Sequence, residues 1–177
     1  TIDSADCVAL VDPGHEGWDQ VCWYEYNGVK YCMNAGWLEA QMQDRFKPAN
    51  DNGMTLSVVF VLSYQEGREE LIDSAARWRG YRYYQPATTG EGADAIEAFF
   101  DFFMWRCLWD EVRVDNLILG NEINNPNEWN HTGTLDCELT AQRYATVFLR
   151  MYNVVRRYSD ITRCSISLDH NWSWNDQ

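Results

Sequence analysis

Two short, continuous apolar runs constrain this chain more than any other feature. Thr55–Leu62 (TLSVVFVL) and Val114–Leu119 are rich in Val, Leu and Ile and show no polar alternation. Runs of that length read as strands shielded on both faces, as in a parallel sheet. Each precedes a segment of helical spacing. Ala93–Trp109 carries Ile96, Phe99, Phe100, Phe103 and Leu108 on one side, and Cys137–Tyr158 carries Tyr144, Val147, Phe148, Met151 and Val155. A third apolar run follows at Cys164–Leu168. Strands alternating with helices require crossover connections, hence parallel pairing and an α/β class.

Upstream of that repeat, Cys7–Leu10 reads as a short strand entering a Pro- and Gly-containing loop at residues 11–17. Val21–Met33 alternates aromatic and polar residues about Asn27-Gly28, a hairpin signal. With a three-residue loop, Cys22 and Cys32 would face each other and be the first disulfide to test. Trp37–Asn52 has helical spacing, is interrupted by Pro48 and ends at Asn52-Gly53. Ser63–Thr89 reads as an elaborated loop with a helical piece at Glu69–Arg77. The whole is expected to be one domain, 1–177, shorter than the roughly 250 residues of an eight-stranded barrel.

Composition narrows the partners. The formal net charge of −13 argues against nucleic acid, because phosphate-binding surfaces are normally basic. No apolar run approaches the ~18 residues of a membrane span. Thr1-Ile2-Asp3-Ser4 lacks the basic start and apolar core of a signal peptide, which is the expectation for a mature or trimmed chain. Six scattered cysteines contain no CxxC pair, and an even count favours disulfides and a secreted, extracellular protein. The sequons at Asn130 and Asn171 are candidate glycosylation sites in that setting. His15, His131 and His170 are far apart in sequence, so neither a metal site nor a cofactor is expected.

In parallel α/β folds, functional residues gather in loops after the carboxyl ends of strands. Those loops here carry Asp12, His15 and Glu16; Ser63, Tyr64 and Glu66; Asn121, Glu122, Asn124 and Trp129; and Asp169, His170 and Trp172. Carboxylates to move protons, amides to bind hydroxyls and indoles to stack on sugar C–H faces suit a carbohydrate site.

The segment Leu117-Ile-Leu-Gly-Asn-Glu-Ile-Asn-Asn125 resembles the fourth strand of the clan of retaining glycosidases built on TIM barrels, in which an Asn-Glu pair ends that strand. The longer pattern continues with Trp129-Asn130, Gly133, Tyr144-Ala145, Met151-Tyr152-Asn153 and Ser165–Trp172. Together with Glu25–Tyr31 and Asp51–Thr55, it is similar to a bacterial family of unknown function placed among glycosidase-like barrels. The resemblance covers roughly residues 20 to 175.

The resemblance implies a partial (β/α)8 TIM barrel comprising strands two to five, with the hairpin as an insertion. It implies a glycoside hydrolase in which Glu122 is the catalytic acid/base, and Asn121 bonds the hydroxyl beside the anomeric carbon. Asn124, Trp129, Asp169, His170 and Trp172 would bind substrate. A retaining enzyme needs a second carboxylate about 5–5.5 Å from the first, which in that clan comes from a later strand. Hydrolysis is therefore expected only if a second carboxylate is supplied. An inverting pair of Glu122 with Asp12, Glu16 or Asp169 is the chemical alternative. The functional alternative is a non-catalytic structural or carbohydrate-binding subunit of an extracellular assembly. Open strand edges would need covering by a second polypeptide or by copies of the chain.

Overall fold

A computed structural model describes residues 21–78 and 80–170 of the chain. The Cys7–Leu10 strand and residues Asp12, His15, Glu16, Asn171 and Trp172 lie outside the described residues.

The alternating segment folds as an antiparallel hairpin of β1 (Val21–Tyr26) and β2 (Val29–Asn34). Its turn has only two residues. Asn27 and Gly28 have φ of 50° and 78°, which Asn and Gly adopt most readily and which matches the twist of the flanking strands. This loop length decides the cysteine question. Tyr26 pairs with Val29, so Cys22 lies opposite Met33 and Cys32 opposite Trp23. Successive residues alternate faces, hence Cys22 and Cys32 point to opposite sides and the proposed bridge does not form. Cys22 is a free thiol, as are Cys107, Cys137 and Cys164, whereas Cys32 is disulfide-bonded elsewhere.

Asn34 ends β2 and accepts a hydrogen bond from the Trp37 N–H at 2.9 Å, capping α1 (Ala35–Gln41). The helical path continues through a π turn at Met42–Phe46 into α2 (Lys47–Asp51). Pro48 sits in the first turn of α2, directly after the π turn, where its missing N–H interrupts the ladder of this continuous helical path. Next come β3 (Ser57–Phe60), α3 (Gly90–Trp109), β4 (Asn116–Leu119), α4 (Cys137–Tyr158) and β5 (Arg163–Ile166). Only a 3-10 turn at Glu69–Leu71 forms within the expected Glu69–Arg77 helix.

The sheet is parallel, ordered β3-β4-β5. Val58, Phe60, Leu117, Leu119 and Cys164 point toward α3 and α4. There they join one core with Phe100, Phe103, Val147, Met151, Val154 and Val155. Phe60 meets Phe99, Phe100 and Phe103 at centroid distances of 5.0–5.7 Å. The other sheet face was expected to be shielded too, but among the described residues it is open. Val59 and Val61 are 43% and 40% exposed.

The partial TIM barrel is not what forms. The described residues build an open three-stranded parallel sheet plus a separate two-stranded hairpin, with no closure and too few elements for a barrel. Local patterning specifies parallel neighbours. Closure requires a matched strand number, tilt and shear, none of which a hydrophobic run encodes.

The hairpin docks on the helices through polar ties. Tyr24 donates to Asp101 on α3 at 2.5 Å, and Tyr26 to Glu97 at 2.6 Å. Arg157 on α4 donates to both Tyr26 Oη and Asp101. Asp101 is buried, so its charge is compensated by these donors.

Where α3 begins, Gly92 lets the helix press on the 3-10 turn. A Cβ there would lie 1.7 Å from the Glu70 carbonyl oxygen. Gly92→Ala should cost about 1–3 kcal/mol through overpacking, measured as a lower urea midpoint at unchanged m-value.

Candidate functional site

The carboxyl ends of β3, β4 and β5 lie at one end of the sheet because the three strands are parallel. The loop leaving β4 is bound to both neighbours. Gly120 N–H donates to the Phe60 carbonyl at 2.7 Å, and Ile123 N–H to the Ser167 carbonyl at 3.0 Å. Between these anchors the backbone makes a tight turn, with Gly120 at φ 73° and Glu122 at φ 47°. Gly120 is required for two reasons. Its φ is left-handed, and a Cβ would stand 1.9 Å from the hydroxyl oxygen of Tyr144 on α4. Burial pushes the Tyr144 phenol above its ordinary range, so it stays protonated beneath the turn.

Glu122 has no comparable excuse. Non-glycine residues pay about 1–2 kcal/mol for the left-handed region, and Asn or Gly would occupy it with less strain. Glu122 is half-buried, and its side chain makes no hydrogen bond or ion pair with the described residues. Asn121 beside it is likewise half-buried, and its side chain makes no hydrogen bond among the described residues.

The other expected substrate-binding residues divide. Asn124 is a tie between loops. Its Oδ1 accepts the Asp169 N–H at 2.6 Å and its Nδ2 donates to the Asp169 carbonyl at 3.4 Å. Asp169 is 8% exposed; its carboxylate contacts His170 Nδ1 at 2.5 Å and accepts from Asn125 Nδ2 at 3.5 Å. His170 itself is 89% exposed at the side chain. Trp129 is half-buried and stacks on Tyr83, with ring centroids 5.3 Å apart and planes 9° apart. The loop thus brings Glu122, Asn121, Asn124, Asp169 and Trp129 to the same end of the sheet, although Asn124 and Asp169 spend polar groups on each other.

The Asn130 sequon is buried in this fold. It is 1% exposed, and its Nδ2 donates to Gln85 Oε1 at 3.2 Å and to the Ile123 carbonyl at 3.1 Å. A glycan on that nitrogen would replace one of the two N–H donors and so remove one of these bonds. The sequon reads a local tripeptide, whereas accessibility is a tertiary property.

Sequence reasoning missed Gln85 and the role of His131. Both belong to a bridge between the 78–87 segment and the β4 loop. Gln85 N–H donates to the His131 carbonyl and His131 N–H to the Tyr83 carbonyl, each at 2.9 Å. The His131 ring stacks on Tyr81 at 3.4 Å and meets Tyr84 edge-on at 5.9 Å. Its hydrogen bond to Pro126 must use the Pro carbonyl, since proline has no N–H. Nε2 has no partner, so the ring donates through Nδ1 and is the neutral tautomer. Gln85 Nε2 and Asn130 Oδ1 also stay unpartnered, although both residues are almost fully buried. The run Tyr81-Arg82-Tyr83-Tyr84-Gln85 was the available signal, but it has no helical or strand period of its own.

No group of three or more His, Cys, Asp or Glu among the described residues could hold a metal ion. Burial pushes the Cys107 thiol up to about 12, which keeps it from acting as a thiolate nucleophile.

Burial also holds the His131 imidazole below its ordinary range, against the opposing pull of the Pro126 carbonyl. The unfolded chain then takes up the proton first, so stability is full above the ordinary imidazole pKa of about 6.5 and falls as pH drops below it. Melting temperature should therefore decline between about pH 7 and 5.5, above the carboxylate range. His131→Gln should flatten that slope while lowering the plateau.

No curated protein and no solved structure matches the chain. The match of a protein family does reach from residue 9 to residue 177, through the hairpin, the sheet and the Glu122 loop. By that match the chain belongs to the family of unknown function DUF5722.

Proposed function

We propose that this protein is a carbohydrate-active domain that hydrolyses glycosidic bonds, with Glu122 as general acid/base and a second carboxylate completing the pair. The observation that carries the reading is the conformation of Glu122. A carboxylate side chain is kept at a strained position, φ 47°, where a smaller residue would be easier. Strain held by anchors on both flanks is typical of functional sites.

The chemistry follows from the position. A half-buried carboxyl without an internal partner is free to meet a glycosidic oxygen and give it a proton. Asn121 supplies amide donors and an acceptor for a neighbouring sugar hydroxyl, and Trp129 offers an indole ring of the kind whose face sugars stack on. Asp169, already held by Asn125 and His170, is better suited to fixing the loop than to attacking an anomeric carbon. The nucleophile or base is therefore a carboxylate other than Asp169. If none reaches Glu122, the same residues make a sugar-binding surface without turnover, which the commitment of Asp169 favours as the second reading. The exposed Val59, Val61, Ile166 and Leu168 fit a partner or a second copy at the sheet edges in either case.

Two substitutions separate mechanism from architecture. Glu122→Gln should lower kcat on a panel of nitrophenyl glycosides by about 10²–10⁴-fold, with sugar binding retained. Unchanged turnover would remove Glu122 from the mechanism. Glu122→Asn should match or exceed the wild-type stability by about 0.5–1 kcal/mol, because Asn tolerates the left-handed region, while turnover is lost. A clear drop in melting temperature would mean that Glu122 serves the fold.

A further inference from the structure

Arg82 stands apart from most arginines of this acidic chain. Arg68, Arg106, Arg113, Arg143, Arg150 and Arg157 each lie in an ion pair. Arg77 and Arg156 donate to backbone carbonyls. Arg82 does neither among the described residues. Its guanidinium carbon instead sits 5.0 Å from the centroid of Tyr83 and 5.4 Å from that of Trp129, the two rings that stack on each other. It is exposed, and both rings are half-buried.

The platform is held firmly. The Tyr83 carbonyl accepts from His131 N–H, and Trp129 and Asn130 N–H both return to the Asn125 carbonyl at 3.1 and 3.2 Å. Asn125 N–H in turn donates to the Glu122 carbonyl at 2.7 Å. One loop therefore carries both the strained carboxylate and one half of the aromatic pair. A guanidinium laid over a ring is oriented by cation–π attraction, and its N–H donors lie in its own plane. They remain free for a planar, bidentate acceptor.

We propose that Arg82, Tyr83 and Trp129 form a subsite for a uronic-acid residue, the ring faces taking the sugar and Arg82 taking its carboxylate. This deepens the carbohydrate reading above and rests on it. An overall charge of −13 repels anionic ligands at long range, so affinity for an acidic sugar depends on this local cation.

The test compares a galacturonic acid trisaccharide with its neutral galactose counterpart by calorimetric titration of the full chain. The wild type should bind the acidic trisaccharide at least about tenfold more tightly, the order expected for one charge-assisted bidentate contact. Arg82→Gln should abolish the preference and leave neutral binding intact. Arg82→Lys, which keeps the charge and loses the fork, should retain only part of it. Trp129→Ala should weaken both ligands. Equal affinity of the wild type for the two ligands overturns the subsite, as does a preference that survives Arg82→Gln or binding of the neutral sugar alone. Failure to bind either sugar overturns it together with the carbohydrate reading. Unchanged turnover in Glu122→Gln removes only the catalytic assignment, since an Arg82-dependent preference would stand without it.

Discussion

Among the described strands of the parallel sheet, β4 is the one with a neighbour on each side, and most other features of the molecule hang from it. Its Leu117 and Leu119 side chains drive into the layer of α3 and α4. Its backbone is locked in register with Val58 and Phe60 on one flank and Cys164 and Ile166 on the other. A strand fixed on both edges and one face cannot shift by a residue without moving its whole buried set to the opposite face. The turn at Gly120–Glu122 inherits that rigidity. It leaves the strand anchored to the Phe60 and Ser167 carbonyls, over a tyrosine whose hydroxyl a Cβ at position 120 would meet at 1.9 Å.

The second support is polar and lies beside that turn. The bridge of Gln85, Asn130 and His131 joins the long 61–89 segment to the β4 loop with backbone bonds, an amide pair and ring stacking. Burying so many polar groups is costly when any is left unpaired, and three side-chain atoms here are. The arrangement therefore contributes more to defining one loop geometry than to raw stability. At the far side of the helices a comparable device, Tyr24 and Tyr26 with Asp101, Glu97 and Arg157, fixes the hairpin. In both places aromatic packing supplies the burial, and hydrogen bonds choose the orientation.

Much of this was legible in the residues. The hairpin about Asn27-Gly28, the two long helices and the three parallel strands follow from hydrophobic period and turn chemistry. Glu122 stood among the loop residues that follow the apolar strands, and the resemblance at Gly120-Asn121-Glu122 singled it out. The misreadings share one cause, which is reliance on local pattern for a non-local property. A one-residue difference in turn length separated Cys22 from Cys32. The Asn130 sequon took no account of burial. The partial barrel implied by the resemblance is not what the described strands build, which is an open three-stranded sheet.

The sequence by itself determined the order and kind of the elements, because hydrophobic period, glycine and proline act within a few residues. It also determined which residue types would stand at the strand ends. Only the tertiary structure decided which of them are available for chemistry. Asn124, Asn130 and Asp169 have much of their hydrogen-bonding capacity engaged with groups far away in sequence. Glu122 and Arg82 are left unengaged among the described residues, one on a strained turn and the other on a pair of rings brought together from two loops. Free donors and acceptors are what remains after long-range pairing is complete, and no local pattern records that remainder.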